Sequence, residues 1–415
     1  MTNVPPEVSA SGEFRKGWRI LLAAMLGCGL GVSSLPLYTA GVFMPSLETE
    51  FGWTRAQLSS AVLIFSLSLA VASPIVGRIV DRVGVRLAAA SSIIAAATCY
   101  LLLSSFLSGL GGFYAAYIAI PVLGAAAAPV AYTRVVALHF TKSRGLAMGI
   151  ALLGPSLAAA FAPAIIAGAI DRGSWQGGYL MLAGLMMLML PFLLLLKETD
   201  SGGAVAEIAT EKIDVALYAE NERQRIFLTL LLALGLFSLG IGGPIVHLVP
   251  MLVDSGMKAI DAAHVVGLIG LAGIVGRLAG GALADRIFAP YILVTVALMA
   301  SAGCVALATL GVAAAAPAAI AIGFSLGAEA DMMGYLVSRY FSPSIYGRVF
   351  GWQYAAFISG VGLSPLMLGY SYDRSGSYVV GLGVCAVLLI AAAVVFVCLP
   401  RYPELRAAPL SASSD

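Results

Sequence analysis

Charged residues are scarce in this chain. Only 11% of its 415 residues are Asp, Glu, Lys or Arg, whereas 60% are hydrophobic and the mean hydropathy is +0.97. A soluble globular protein carries roughly 25% charged residues, so this composition excludes a water-soluble globular domain. The formal net charge of +2 gives no reason to expect a nucleic-acid partner.

Cysteines and catalytic motifs are also scarce. The five cysteines are scattered through apolar segments without the spacing of metal ligands, so we interpret them as small buried hydrophobic residues. They are Cys28, Cys99, Cys304, Cys385 and Cys398. We find no His/Asp/Glu metal cluster, nucleophile motif or phosphate-cradling loop. The sequence therefore predicts no catalytic residue, no metal, no cofactor and no enzymatic activity.

Long apolar segments are what the chain has in abundance. A run of ~20 apolar residues crosses the ~30 Å hydrocarbon core of a bilayer as a helix, and the alternating pattern of a β-barrel is absent. Twelve segments qualify, at about 19–47, 56–77, 86–108, 112–138, 145–170, 177–196, 226–253, 260–283, 288–311, 315–338, 346–369 and 378–399. We predict an all-α membrane protein with twelve transmembrane helices.

The basic residues indicate how these spans are oriented. Of the 23 lysines and arginines, two lie within spans (Arg134, Arg277) and four lie on one side of the membrane (Arg55, Arg172, Lys258, Arg374). The remaining seventeen lie on the side of the termini. Because basic residues accumulate on the cytoplasmic side, we expect both termini in the cytoplasm and a multi-pass protein of the cell inner membrane.

A charged turn occurs twice, half a chain apart. The sequence Gly77-Arg78-Ile79-Val80-Asp81-Arg82 reappears 204 residues later as Gly281-Ala282-Leu283-Ala284-Asp285-Arg286. This long period indicates a duplicated bundle. We predict a cytoplasmic tail at 1–18, a six-helix bundle at 19–196, a linker at 197–225, a second six-helix bundle at 226–400 and a tail at 401–415. Two such pseudo-symmetric halves, with substrate between them near mid-membrane, are typical of secondary transporters.

Three motifs resemble those of a known family. The pattern Gly77-x-x-x-Asp81-Arg82-x-Gly84-x-Arg86 is similar to the signature loop of the major facilitator superfamily. The segment from His139 to Gly149 resembles the fifth-helix motif of its monocarboxylate transporter group, and Glu50-Phe51-Gly52-Trp53-Thr54-Arg55 resembles that group and its oxalate/formate antiporter relatives. The resemblance implies the twelve-helix fold of that superfamily and transport of a small organic anion.

Arg277, inside the eighth span, is the strongest candidate for substrate binding. A charge at this depth costs ~2.5–3.5 kcal/mol on insertion scales, so it calls for a functional explanation. It matches the eighth-helix arginine that pairs with substrate carboxylate in monocarboxylate and oxalate transporters, and its planar guanidinium suits a carboxylate. The alternative is an internal ion pair with Glu329 or Asp331 of the tenth span.

Three residues are candidates for carrying a coupled proton. Glu329 and Asp331 lie two residues apart on one helix and so point ~200° apart; we expect one of them to face the central cavity. His247 in the seventh span changes charge near physiological pH and is also a candidate substrate ligand. The alternatives are static partners of arginines for the two acids, and a neutral hydrogen-bonded residue for the histidine.

The chain also departs from the family at three positions. Tyr38 stands where animal monocarboxylate transporters have a first-helix lysine, and Gly273 stands where they have an eighth-helix aspartate. The eleventh-helix lysine of oxalate exchangers is replaced by a segment with Gln353 and Tyr354. We therefore expect Tyr38, Gln353 and Tyr354 to contribute to a site with one central cation, which favours one carboxylate per substrate.

The repeated turn has its own predicted role. We expect Gly77, Asp81, Arg82 and Arg86, with Asp285 and Arg286, to form a cytoplasmic latch between the halves; the alternative is a topological anchor. As a whole, the sequence predicts a monomeric monocarboxylate:proton symporter with rocker-switch alternating access. An anion exchanger, a drug efflux carrier and a non-transporting sensor are the alternatives.

Overall fold

The computed structural model describes residues 10–140, 143–196, 220–284 and 286–402. Within these ranges the chain is helical and contains no β-strand, which confirms the predicted all-α class. A helix satisfies its backbone hydrogen bonds within its own segment, and a hydrocarbon environment requires that.

Each of the six predicted spans in the first half coincides with helical structure. The first and fourth spans are broken helices, and the fifth and sixth form one helical stretch with an irregular residue at Ser174. The helices are Ala10–Leu30 and Ser34–Phe51 (first span), Arg55–Val83 (second), Val85–Phe106 (third), Leu110–Gly124 with a 3₁₀ turn Ala125–Ala127 and Pro129–His139 (fourth), and Arg144–Ala151, Leu153–Met187 and Leu190–Leu193 (fifth and sixth).

The second half repeats the pattern. Its helices are Glu220–Asp254 (seventh span), Ala259–Ala284 (eighth), Ala289–Leu310 (ninth, followed by a 3₁₀ turn Gly311–Ala314), Ala315–Tyr340 (tenth), Pro343–Ser375 (eleventh) and Val379–Val397 (twelfth). In the described part of the chain, nine helical stretches are long and apolar enough to cross a membrane. Two of them, Gly145–Leu193 and Ala289–Tyr340, contain two predicted spans each. The more polar eleventh helix completes the twelve.

The helix of the seventh span begins earlier than the apolar segment. The sequence predicts a span from residue 226, whereas the helix starts at Glu220. The residues from 220 to 225 are polar, so this first turn and a half extends the helix beyond the apolar stretch. The rest of the predicted linker, 197–219, lies outside the described residues, and the predicted domain boundaries stay predictions.

A tight turn joins the first two spans and determines where Arg55 lies. Gly52 adopts a left-handed conformation (φ 66°) that ends the first span. Thr54 then caps the second span, since its hydroxyl accepts a hydrogen bond from Gln57 N (3.3 Å) and its own N–H donates to Gln57 Oε1 (3.0 Å). This capping box makes Arg55 the first residue of the second helix.

In the described part of the chain, the main contacts between the halves join the first span with the seventh, the second with the eleventh, and the fifth with the eighth. Small residues line these contacts. A Cβ on Gly362 would lie 2.8 Å from Ser66 Cβ, and one on Gly267 would lie 2.6 Å from the carbonyl oxygen of Ala160. Small side chains let membrane helices approach this closely.

We name the two ends of the bundle by what they carry. The distal end carries the turns at 52–54, 255–258 and 376–378, and the terminal end carries Ala10 and Tyr402, the first and last described residues. Under the predicted orientation, the distal end faces the outside of the cell.

The cysteine interpretation is confirmed only in part. All five cysteines are free, and Cys28, Cys304 and Cys385 are buried. Cys99 is half-buried, and the interpretation is wrong for Cys398, which is exposed. Cys398 follows the last turn of the twelfth span and lies on the outer face of the helix end, while its neighbours Phe396 and Leu399 are buried.

Candidate functional site

Arg277 lies where the eighth and tenth spans touch. Its side chain is buried, with only 8% of its surface exposed. Its neighbour Gly276 packs directly on the carbonyl oxygen of Phe324, and a Cβ on Gly280 would lie 3.1 Å from Ala328 Cα. The helix ends seven residues later at Ala284, about 10 Å away at the 1.5 Å rise of an α-helix. The guanidinium therefore lies well inside the bundle.

The charge of Arg277 reaches across to the other half. It acts electrostatically on Cys28 and on Tyr38, which lie on the two helices of the broken first span. Arg277 belongs to the second half and both of these residues to the first. The structure thus brings Tyr38 and Arg277, two of the predicted substrate ligands, to the same region between the halves.

The breaks in the first and fourth spans lie against each other beside this region. Gly31 packs on the carbonyl oxygen of Ala127, and a Cβ on Gly124 would lie 2.7 Å from Val32 Cγ2. In the first span, the hydroxyl of Ser34 donates to the carbonyl oxygen of Cys28 (2.7 Å). Interrupted helices at mid-membrane are the usual way in which transporters present backbone polar groups to a substrate.

Tyr132 extends this region from the fourth span. Its ring lies over Gly27, where a Cβ would be 2.5 Å from the ring atom Cζ. Its side chain is fully buried, and its hydroxyl has no hydrogen-bond partner among the described residues. A buried hydroxyl without a partner is unusual, so Tyr132 is an additional candidate ligand.

A small, mostly apolar cavity of about 40 Å³ lies between the halves near the break in the first span. Residues of the first, second, fourth and eleventh spans line it, among them Ser33, Phe65, Tyr117 and Ile358. The hydroxyl of Ser33 is buried and has no hydrogen-bond partner within the described part of the chain. The cavity thus combines apolar walls with one polar group.

The two eleventh-span candidates differ in their surroundings. Gln353 is fully buried, and its Nε2 donates to the carbonyl oxygen of Phe227 in the seventh span (3.2 Å). Both spans belong to the second half, so this bond stabilises the bundle. Tyr354 is half-buried and stacks with Phe350 at a centroid distance of 6.2 Å. Their roles as substrate ligands stay predictions.

The acidic candidates lie on the tenth-span helix, as predicted from the apolar segment that contains them. Glu329 is fully buried and follows Ala328, which contacts Gly280 of the eighth span. The backbone of Asp331 is helical, and its side chain lies outside the described part of the structure. A proton-coupling role for either residue stays a prediction.

His247 occupies a different place from Arg277. Its side chain is fully buried near the distal end. Its Nε2 lies 2.9 Å from Ser59 Oγ and 2.9 Å from the carbonyl oxygen of Pro365, and its Nδ1 lies 3.2 Å from the hydroxyl of Tyr378. A neutral ring with its proton on Nε2 suits these partners, since it donates to Pro365 and accepts from Tyr378. Its predicted substrate and proton roles stay untested.

The predicted latch is described only in part. Gly77 and Asp81 lie on the second-span helix, but the surroundings of Gly77, the side chain of Asp81 and all of Asp285 fall outside the described part. Arg82 and Arg286 are exposed. Arg86 donates to the carbonyl oxygen of Leu194 (2.9 Å) and so ties the third span to the sixth within the first half. The latch role stays a prediction.

A polar cluster that the sequence does not reveal joins the halves at the distal end. Arg55 is buried. Its two terminal nitrogens donate hydrogen bonds to the carboxylate of Asp254, at 2.5 Å for Nη1–Oδ2 and 2.6 Å for Nη2–Oδ1. Its Nε donates to Glu48 Oε1 (2.7 Å), and its Nη1 also donates to the hydroxyl of Tyr378. Its guanidinium carbon lies 3.9 Å from the ring centroid of Tyr372.

Asp373 adds a second link between the halves in this cluster. Its Oδ1 accepts a hydrogen bond from Arg55 N (3.1 Å) and its Oδ2 accepts one from Ala56 N (2.8 Å). An acid of the eleventh span thus caps the start of the second span, where backbone donors lack helical partners. Opposite charges at one end of both halves were a signal in the sequence, but they do not say which residues pair.

Comparison with known proteins places these features in a family. Residues 26–333 match the family model described as Major Facilitator Superfamily. The chain is 28% identical over 406 residues to "Monocarboxylate transporter 13" of Rattus norvegicus, covering 93% of this chain and 89% of the relative. It is 27% identical over 412 residues to "Monocarboxylate transporter 11" of Mus musculus, covering 93% and 88%.

A solved structure gives the same fold. The crystal structure of a D-xylose-proton symporter superimposes with a TM-score of 0.71 at 16% sequence identity, covering 93% of this chain and 98% of that one. At this identity the likeness concerns the fold alone.

Proposed function

Since the chain belongs to the Major Facilitator Superfamily and is a multi-pass membrane transporter rather than an enzyme, we propose that it carries a small organic anion. The proposed substrate is a monocarboxylate, moved together with a proton by rocker-switch alternating access. The proposed carrier works as a monomer in the cell inner membrane, with both termini in the cytoplasm. Its relatives named monocarboxylate transporters support this substrate class.

The burial of Arg277 between the halves is the observation that carries the proposal. A cation buried at this depth requires compensation for its lost hydration, and in the proposed carrier the substrate carboxylate exchanges with an internal partner in that role. A carboxylate bound by the planar guanidinium provides two charge-assisted hydrogen bonds. Cys28 and Tyr38 of the first half lie within electrostatic range of Arg277, and we infer that a substrate held there contacts both halves.

The surroundings of Arg277 favour a substrate with one charge. Tyr38 offers a hydroxyl group in this region, Tyr132 and Ser33 offer further hydroxyl groups beside the break in the first span, and the cavity next to that break is mostly apolar. One carboxylate on Arg277 with a small, weakly polar remainder fits these groups. A dicarboxylate requires a second cation, and the eleventh span has Gln353 and Tyr354 at the place where oxalate exchangers have a lysine.

Uptake into proteoliposomes tests the proposal. Radiolabelled mono-, di- and aromatic carboxylates are offered to the purified protein with and without an inward proton gradient. We expect uptake of monocarboxylates that the gradient accelerates. Arg277→Ala should reduce that uptake at least roughly tenfold, because a hydrogen bond to a charged group contributes ~1.5–3 kcal/mol. Arg277→Lys keeps the charge but lacks the planar guanidinium. Its uptake rate should lie between those of the parent and of Arg277→Ala.

Arg374→Ala provides the matched control, since it removes an exposed cation at the distal end. It should transport as the parent does. Failure of every carboxylate would overturn the substrate class, and a drug efflux substrate would then be sought. Uptake that ignores the proton gradient but needs an anion inside the vesicle would replace symport by exchange.

A further inference from the structure

We propose that Arg55, Asp254 and Asp373 form the gate that closes the distal end of the transport path. Arg55 belongs to the first half, whereas Asp254 and Asp373 belong to the seventh and eleventh spans of the second half. The inference rests on the two-half fold of the family and is independent of the identity of the substrate. It gives a function to the Arg55 motif and to His247, which the proposed substrate site leaves unused.

The contacts of the cluster exist only when the halves meet. The two bonds from Arg55 to Asp254 and the two backbone bonds to Asp373 all cross the interface. So do the bond from Arg55 to Tyr378 and the contact between Ser59 and His247. Separation of the second span from the seventh, eleventh and twelfth breaks all of these contacts together. A set of bonds that breaks as a unit stabilises one of two discrete states, as a gate requires.

Glu48 makes the gate reversible. It lies seven residues before Arg55, on the other side of the tight turn at Gly52, and both residues belong to the first half. Its carboxylate therefore stays beside the guanidinium when the halves separate. A buried arginine left without any partner would oppose opening strongly. With Glu48 in place, opening removes the bonds to Asp254 and Asp373 but leaves one ion pair intact.

His247 connects the gate to the layer beneath it. Tyr378 accepts a hydrogen bond from Arg55 and lies 3.2 Å from His247 Nδ1, and His247 Nε2 reaches Ser59 of the second span and Pro365 of the eleventh. The chain Arg55–Tyr378–His247 therefore spans two helical turns of the interface. The charged groups of the gate are Arg55 and Glu48 in the first half and Asp254 and Asp373 in the second half. Closure therefore places two acids of the second half around the arginine of the first half.

Thiol labelling tests the gate without any substrate. Ser66 is buried and packs against Gly362 across the interface, so Ser66→Cys reports on separation of the halves. The reporter is introduced into the full chain, and the rate of reaction with a membrane-impermeant maleimide is measured in intact cells and in inverted membrane vesicles. The parent chain without the reporter gives the background from the five native cysteines.

The three carboxylates receive the same substitution. Asp254→Ala and Asp373→Ala should each raise the labelling rate at least roughly tenfold, because each loses charge-assisted bonds that only the closed state contains. Glu48→Ala is the matched control: it removes an acid on the same arginine within one half, and it should not raise the rate. Arg55→Lys, which keeps the charge but cannot bind Asp254 through two nitrogens, should give an intermediate rate.

A charge-exchange variant distinguishes loss of the gate contact from misfolding. Arg55→Asp combined with Asp254→Arg should label more slowly than either single variant, and thermal melting in detergent identifies any variant that fails to fold. Labelling of Asp254→Ala at the parent rate would overturn the proposal. So would a Glu48→Ala rate that rises as much as that of Asp254→Ala. Neither result would bear on carboxylate uptake through Arg277, so failure of the gate and failure of the proposed function are separate outcomes.

Discussion

Replacement of Gly369 by alanine offers a steric test of the distal contact. Gly369 of the eleventh span packs against the first turn of the second span. A Cβ there would lie 2.8 Å from the carbonyl oxygen of Arg55 and 3.0 Å from Ser59 Oγ. Ordinary contact begins at 3.4 Å, so the helices must separate by the difference of about 0.6 Å. Crowding of this kind costs ~1–3 kcal/mol.

Only the closed state carries this cost, because opening separates the two helices. The closed-to-open ratio should therefore fall by ~5- to 150-fold. Alanine also favours the helix by ~0.5–1 kcal/mol relative to glycine, but that gain is the same in both states and cancels. The change should thus increase distal opening without unfolding the protein.

The assay is the labelling rate of the Ser66→Cys reporter together with thermal melting. Gly242→Ala is the matched control, since its Cβ would lie 2.7 Å from the carbonyl oxygen of Val361 within the second half. It should lower the melting temperature without faster labelling. Gly383→Ala, with no atom within 4 Å of its Cβ, should change neither. The opposing result is a Gly369→Ala variant that lowers the melting temperature as Gly242→Ala does and leaves the labelling rate at the parent value. The contact of Gly369 with the second span would then belong to a rigid bundle, and that result would refute the reasoning.

Three further predictions concern single residues. Glu329→Gln, which removes a titratable group at nearly constant volume, should abolish proton-driven accumulation but preserve counterflow exchange of labelled substrate; retained accumulation would exclude Glu329 as the proton carrier. Tyr132→Phe should leave the melting temperature unchanged or higher, because the buried hydroxyl has no partner among the described residues, and should raise the apparent KM for the carboxylate; an unchanged KM would assign Tyr132 to packing. Ser174→Gly should stabilise the protein by ~1 kcal/mol, because Ser174 adopts φ 79° and ψ 177°, a region that only glycine occupies without strain; Ser174→Ala should instead be destabilising in the same melting assay.

The spans were predictable because each depends on its own segment alone. A stretch of about twenty apolar residues loses hydration as a unit and must satisfy its backbone internally. The predicted eighth span at 260–283 accordingly agrees with the helix Ala259–Ala284 to within one residue at each end. Arg277 was predictable for the same reason, since a lone charge in such a stretch stands out from its neighbours.

Hydropathy did not predict the breaks within spans, although Pro129, which begins the second helix of the fourth span, is a residue type that permits such a break. The sequence predicts one span at 19–47 and one at 112–138, whereas both helices are interrupted near the middle. Hydropathy does not change at Gly31–Ser33 or at Ala125–Ala128, because those residues are as small and apolar as their surroundings. The breaks become visible only when the two segments pack on each other through Gly31 and Gly124.

The sequence by itself determined the membrane class, the twelve spans, the duplication and the bias of basic residues toward one side. Each of these follows from composition, segment length or repetition along the chain. The tertiary structure alone decided which polar residues meet. Arg55 and Asp254 are 199 residues apart, and nothing local to either residue selects the other as its partner. Their contact depends on how two separate six-helix halves approach, and that approach is determined by small residues in several spans acting together.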